Sequence, residues 1–352
     1  MISADNMNSA RDTKMFEEIS YSPEVFAKLI SSDEVFQRAA ELIASRSITN
    51  VQILARGTSD NAAHYLKYLI EVNLGLPVGL TSPSAVTIYG SKLNFSQTLL
   101  IAISQSGESP DLINYAHAAK EGKALVIAFT NNANSPLAKS ADLHIDLLAG
   151  KEIAVAATKS YSAQLLSSYL LVMHWCGRPL ANLESFLSSA RALAENFGQV
   201  QQLAEELSYQ REIVVLGRGY AYANAKELAL KIQETSHRVV QGMSSADYLH
   251  GPIASLNNET QVIVISPVGL PPQSISEGIA RIRSNSSRII WVGNGNLAES
   301  GDLVFPGAQD IDEAGATILD AIVLQQIALS FATQNGFNPD APAGLTKVTK
   351  TL

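Results

Sequence analysis

The sequence predicts an α/β protein made of two tandem, doubly wound parallel-sheet domains, with a helical N-terminal lead-in and an extended C-terminal tail. Three observations carry that expectation. Short β-rich apolar runs alternate with amphipathic helical stretches, the pattern of strand-helix-strand units and a parallel sheet. The junctions between strand and helix are rich in small and hydroxyl residues. The two halves also repeat: Leu54-Ala-Arg-Gly57 recurs as Leu216-Gly-Arg-Gly219, displaced by 162 residues, and Ile103-Ser104 recurs as Ile265-Ser266 at the same displacement. Gly107 and Pro110 are echoed by Gly269 and Pro272, which two copies of one unit explain better than chance.

Taken in order, residues 1–14 are polar and aperiodic, and helices are expected at Met15–Ile19, Pro23–Ile30 and Asp33–Ser45. These make residues 1–48 a helical N-terminal segment. The first domain, 49–180, has strands at Val51–Ala55, Val78–Thr81, Leu99–Ile103, Ala124–Phe129 and Leu143–Leu147, with a helix from Asn61 to about Val72. Ser109-Pro110-Asp111 supplies an N-cap, a first-turn proline and an early carboxylate for another helix. Ala154-Val-Ala-Ala-Thr-Lys159 is expected to open a long helix through Leu165–Cys176, ended by Gly177 and Pro179. The second domain, 181–335, begins with a linking helix at about 181–210 and has later strands near Ile289–Val292 and Leu303–Phe305. Residues 336–352 form an extended tail whose lysines, Lys347 and Lys350, matter only if the tail folds over a site.

Composition narrows the function. The chain has 352 residues, 46% of them hydrophobic and 16% charged, with a net charge of -8. There is no basic field for nucleic acid and no Lys/Arg cluster interleaved with aromatics. The single cysteine, Cys176, excludes an intrachain disulfide framework and a zinc site of the usual cysteine spacing, and its apolar surroundings suggest a core role. No metal motif or cofactor fingerprint is expected. No apolar stretch is expected to reach the ~18 residues of a membrane span, and the polar N-terminus lacks a secretory apolar region. The expected compartment is the cytoplasm.

The run Ser104-Gln-Ser-Gly-Glu-Ser109 lies between a strand end and a helix start. There, free backbone N–H groups and the helix dipole hold an anion without arginine or lysine. Ser104, Gln105, Ser106 and Ser109 add side-chain donors. A Ser-rich turn that merely caps a helix carries the same signal. Arg56-Gly-Thr-Ser59 follows the first strand with the same grammar. In the second copy the hydroxyl loop has become Ser266-Pro-Val-Gly-Leu-Pro-Pro272, which has lost donors and N–H groups, so the anion is assigned to copy one. Copy two instead carries Glu227, Lys231 and Glu234 on one helical face, a spacing that a solvated salt-bridge ladder also produces. His250 stands before a Gly-Pro turn; His64, His117, His144, His174 and His237 fall within helical or strand patterns and read as structural.

Together, and in this order, Arg-Gly-Thr-Ser (56–59), Ser-Gln-Ser-Gly-Glu-Ser (104–109), Ala-Val-Ala-Ala-Thr-Lys (154–159), Glu-Leu-Ala-Leu-Lys-Ile-Gln-Glu (227–234), Leu-His-Gly-Pro (249–252) and the terminal Leu-Thr-Lys resemble the sugar isomerase (SIS) domain family. The likeness is greatest to the tandem isomerase portion of glucosamine-6-phosphate synthase and to stand-alone glucosamine-6-phosphate deaminases of the same type. It covers nearly the whole chain from Met15 and implies a flavodoxin-like fold in each copy. It further implies that Thr58, Ser59, Ser104, Gln105, Ser106 and Ser109 hold a sugar phosphate, with Gly57, Val155 and Ala157 near the sugar. Glu234 is implied as the base between C1 and C2, supported by Lys231 and Glu227. His250 is implied in ring opening from a partner subunit, hence a homodimer, and Lys347 as a tail lysine able to form a Schiff base. The chain departs from the family at Arg56, where relatives usually carry cysteine, and at Ala157, often serine.

With fewer than fifty residues before the first strand and no cysteine among them, no glutaminase is expected. The activity expected from the resemblance is therefore conversion of glucosamine 6-phosphate to fructose 6-phosphate and ammonia. A fructosamine-6-phosphate deglycase or other amino-sugar-phosphate isomerase is the neighbouring alternative. A non-catalytic sugar-phosphate regulator, which needs only the phosphate cradle, is the alternative of another class.

Overall fold

A computed structural model of the chain describes residues 10–178, 182–285 and 288–347. Expectations for residues 1–9, for Pro179 as a helix stop and for 348–352, including Lys350, lie outside the described residues. The chain divides into two compact units. The repeat-one unit comprises Glu24–Glu152 and Lys159–Leu183; the repeat-two unit comprises the chain up to Pro23, Ile153–Thr158 and Glu184–Lys347.

The N-terminal helices are α1 (Lys14–Ser20), α2 (Ser22–Ser31) and α3 (Asp33–Ala44). The repeat-one sheet follows, with β1 (Asn50–Leu54), β2 (Val78–Leu80), β3 (Thr98–Ser104), β4 (Leu125–Thr130) and β5 (Leu143–Asp146) in the order β2-β1-β3-β4-β5. All pairs are parallel. Every residue of β3 is buried because the strand is central and covered on both faces, which is why its sequence is an unbroken apolar run. Between the strands lie α4 (Thr58–Leu74), α5 (Pro83–Thr87), α6 (Pro110–Glu121) and α7 (Pro136–Ser140), and after β5 comes α8 (Lys159–Trp175). One face of the sheet packs Leu100, Ala102 and Val126 on Phe95, Leu112 and Tyr115.

The start of α8 and the burial of Cys176 differ from expectation. Residues 154–158 are not helical, and α8 starts at Lys159, where Glu152 accepts from the Ser160 amide (3.1 Å) and hydroxyl (2.8 Å) and so caps the helix. Cys176 is only partly buried just beyond α8, its thiol donating to the Val172 carbonyl.

The linking segment is two helices, not one: α9 (Leu183–Glu195) and α10 (Phe197–Ala204), broken at Asn196. The repeat-two sheet has β6 (Glu212–Gly217), β7 (Val240–Ser244), β8 (Thr260–Ser266), β9 (Ile289–Gly293) and β10 (Leu303–Phe305), in the order β10-β9-β8-β6-β7. Read from the β7 end this is the order of the first sheet. The register repeats as well: Val51 pairs with Val78 and Leu99, and Ile213 pairs with Val240 and Gln261, each 162 residues later.

Its helices are α11 (Ala221–Ser236), α12 (Ser245–Leu249), α13 (Gln273–Arg283) and α14 (Glu313–Gln334). His237 ends α11 in a left-handed conformation (φ 51°) and is not inside a regular element. Contrary to the expectation that no apolar stretch reaches spanning length, α14 is long and apolar enough to cross a membrane by length and composition. Its most apolar window is wholly buried in the protein, which accounts for that composition.

Candidate active site

In each sheet the chain leaves adjacent central strands in opposite directions, and the loops beyond their C-terminal ends flank a crevice. In repeat one these loops follow β1 and β3. The Gly107 amide donates to Ser104 Oγ (3.1 Å) and the Glu108 amide to Ser106 Oγ (3.3 Å), so the loop after β3 curls on its own hydroxyls. Gly107 sits at φ +66°, and a Cβ there would lie 2.3 Å from Ser135 Oγ, so no side chain fits without displacing backbone or Ser135. Ser59, at the start of α4, is buried and accepts from Gln164 Nε2 (3.0 Å). Thr58, Gln105, Ser106 and Ser109 are partly exposed. Ser109 is the N-cap of α6 but makes no side-chain cap bond.

Arg56, the basic residue of the first loop, is tied through Nε to the buried Asp111 carboxylate at 2.9 Å. It braces the loop after β1 against α6. Behind the loop, Thr130 Oγ1 lies 2.9 Å from His144 Nε2. Burial outweighs the nearby Asp146 and holds the His144 pKa below its ordinary value, favouring the neutral ring.

Repeat two fills the corresponding crevice differently. Glu313, the first residue of α14, packs on both loops: its Oε1 lies 3.1 Å from the place a Cβ would take on Gly219, and its backbone N 3.0 Å from that on Gly269. Burial and the neighbouring Asp312 raise the Glu313 pKa. A carboxylate therefore stands between these two loops of repeat two. Sequence reasoning passed over this residue, whose signal is an acidic side chain opening the helix after the last strand.

On α11, Lys231 Nζ is ion-paired with Glu234 Oε2 and lies 3.5 Å from Glu227 Oε1. Glu227 and Lys231 are each 1% exposed, while the Glu234 side chain keeps 23% of its surface. The solvated-ladder alternative is thereby excluded: the face carrying these residues is buried, with α11 packed on α14. Buried charges persist only when paired, and here one ammonium serves two carboxylates.

His250 is the exposed C-cap of α12, followed by Gly251 at φ 140° and a short 3₁₀ turn, Pro252–Ser255. The tail is anchored in the same unit: Lys347 Nζ donates to the Ala154 carbonyl (2.7 Å), and the Val155 amide donates to the Asp340 carbonyl (3.1 Å). Asp340 also accepts from the Lys14 and Met15 amides at the start of α1, both at 2.8 Å. The segment 153–158, with Val155 and Ala157, is thus held next to Lys347. The hydroxyl set belongs to the repeat-one unit, and Glu227, Lys231, Glu234, His250, Val155, Ala157 and Lys347 to the repeat-two unit. Among the described residues, no group of three or more His, Cys, Asp or Glu is placed to hold a metal.

Two like parallel sheets, each with a crevice beyond its central strands, define a tandem α/β architecture, and the chain belongs to the SIS domain family, which it matches over residues 45–174 and 206–333. Among curated proteins it is similar to the glutamine–fructose-6-phosphate aminotransferase (isomerizing) of Methanothermobacter thermautotrophicus, with 31% identity over 345 residues. That match covers 96% of this chain and 57% of the relative, so the chain spans about half the length of the curated relatives it matches. Among solved structures it is similar to a Silicibacter pomeroyi protein assigned as a phosphosugar isomerase, with TM-score 0.82 and 27% identity over 93% of this chain and 100% of that one. The glucosamine-6-phosphate deaminase of Thermotoga maritima shares the fold, with TM-score 0.77 and 21% identity over 96% of this chain and all of that one.

Proposed function

We propose that this chain is a phosphosugar aldose-ketose isomerase that acts on glucosamine 6-phosphate and releases ammonia, leaving fructose 6-phosphate. The observation that carries the reading is the buried Glu227–Lys231–Glu234 cluster, an expensive arrangement to keep in a protein that only binds ligands. The hydroxyl loops of repeat one, with Gly57, are assigned to the phosphate and sugar. His250 is assigned to ring opening, passing a proton to the ring oxygen as the C1 hydroxyl loses one. Glu234 then takes the C2 proton and returns it to C1 while a proton passes from the nitrogen to the C1 oxygen, converting the aldehyde and C2 amine to a C1 hydroxyl and C2 imine that water hydrolyses to ketone and ammonia. Lys231 positions Glu234 through their ion pair and brings positive charge toward the oxygen that becomes anionic. Lys347, held on Ala154, is assigned to contact the open ketose, and His250 is supplied by the second chain of a homodimer.

The test is joint measurement of ammonia and fructose 6-phosphate formed from glucosamine 6-phosphate. Glu234→Gln is expected to lower turnover by about 10²-fold or more, while binding of the sugar phosphate, followed by calorimetry, stays within a few-fold. Binding without turnover in the unaltered protein overturns the enzyme reading in favour of a regulator. Turnover of fructosamine 6-phosphates in place of glucosamine 6-phosphate reassigns it as a deglycase.

A further inference from the structure

At the end of the repeat-two sheet away from the crevice loops, a cavity of about 310 Å³ lies among the N-terminal ends of β6, β8 and β9, its lining including Ser208, Arg211, Thr260, Gln261, Arg288 and the carboxylate of Glu206. The internal repeat shows that this is an elaboration and not a property of the fold. In repeat one, Leu99 of β3 pairs with Leu125 of β4. In repeat two the matching positions, one step before the Val262–Ile289 pair, are Gln261 and Arg288, and Arg211 stands for Thr49. An apolar strand end has become a polar cavity carrying two guanidinium groups.

Gln261 is only 7% exposed in the central strand, where an unbonded amide is costly. Its Oε1 accepts from the Ser208 amide (2.8 Å) and its Nε2 donates to the Ser208 carbonyl (2.9 Å), fixing the turn before β6 as one wall. Thr260, 4% exposed, also lines the cavity. Carboxylates are present too. Arg288 Nη1 lies 3.3 Å from Glu206 Oε2 and Arg211 Nε 3.7 Å from Glu259 Oε2, and those glutamate side chains are 58% and 69% exposed. Pairs that exposed are individually weak.

We propose that this cavity is a second ligand site, taking a phosphate dianion, either inorganic phosphate or the phosphate of a small monoester. Guanidinium groups with nearby hydroxyl and amide donors suit the tetrahedral oxygens of phosphate, and the volume is at the small end of ligand pockets. The site is independent of the hydroxyl cradle of repeat one and of the reading given under Proposed function.

The full chain with its cradle disabled by Ser104→Ala and Ser106→Ala is titrated by calorimetry with inorganic phosphate and, separately, with glucose 6-phosphate. Saturable binding with a dissociation constant on the order of 1 mM or below is expected. Tighter binding of the ester assigns a phosphomonoester, and equal binding assigns free phosphate. Arg211→Gln and Arg288→Gln, singly, are each expected to weaken binding about tenfold, and Arg288→Lys, which keeps the charge, less than Arg288→Gln. Circular dichroism establishes that each variant is folded. Absence of saturable binding in the cradle-disabled protein, or binding that the arginine changes leave unaltered, overturns the proposal.

Discussion

Asp320 is a carboxyl group that the fold buries completely, on α14 against Gly293 and Gly307. Its Oδ1 accepts from the Ala308 amide (2.8 Å), while Oδ2 has no hydrogen-bond partner. Burial pushes its pKa up from 3.8 to about 7, and the Ala308 bond offsets only part of that rise. The folded chain therefore keeps a proton that the unfolded chain has lost between those two values. This favours folding fully below pH 3.8, and the advantage is lost as pH rises through about 7. By pH 8 the loss is of order 4 kcal/mol. Asp320→Asn keeps the acceptor and removes the ionisation, so it is expected to raise the unfolding temperature at pH 8 and to have a much smaller effect at pH 5. Equal shifts at both pH values, read by thermal unfolding, would show that Asp320 does not carry this proton. Nothing in the sequence marked the residue, because a lone aspartate in a helical pattern looks like part of a polar face. The Glu227–Lys231–Glu234 spacing was legible, but its burial was not, since that depends on α14 packing from nearly a hundred residues away.

At the scale of elements, the loop between β3 and α6 is the part on which phosphate binding is predicted to depend most. Gly107→Ala would place a methyl group 2.3 Å from Ser135 Oγ in a left-handed backbone conformation. The expected results are a stability loss of about 1–3 kcal/mol in denaturant unfolding and a loss of sugar-phosphate affinity. A Gly107→Ala protein that binds the ligand normally would remove the loop from the anion site. The strands of the first sheet, with β9 and β10 of the second, were legible to within one or two residues because buried parallel strands have a dense β-rich composition bounded by turn residues; β6 and β8 showed only through the repeated motifs, and the partly exposed β7 did not show at all. The segment 154–158 was not. Its alanines favour helix locally, but Glu152 starts α8 at Lys159 and the tail takes the Val155 amide, so tertiary bonds override propensity. The long helix α14 went unremarked for the opposite reason: being buried all round, it has no amphipathic period to detect.

For the whole molecule, the repeat shows two copies that share a scaffold and differ in the residues at their crevices. Both copies keep strand order and register, yet repeat one keeps the hydroxyl loops while repeat two has prolines and Glu313 at the matching crevice and the buried ion cluster on α11. A duplicated unit whose copies have diverged in this way is expected to act as one catalyst, with neither half active alone. The proposed dimer extends that dependence across subunits and makes a quantitative prediction. If His250 serves the Glu234 of the other chain, His250→Ala and Glu234→Gln homodimers are each inactive, but a mixed dimer has one site with both residues intact. Random reassociation of equal amounts puts half the chains into mixed dimers with one competent site of two, so activity should recover to roughly a quarter of the unaltered level. The measurement is ammonia release after co-refolding or co-expression of the two variants, with each refolded alone as control. Recovery requires a chain that lacks only the histidine and a chain that lacks only the glutamate. An exposed His250 acting within its own chain gives no recovery at any mixing ratio, and that result would confine the proton chemistry to a single subunit.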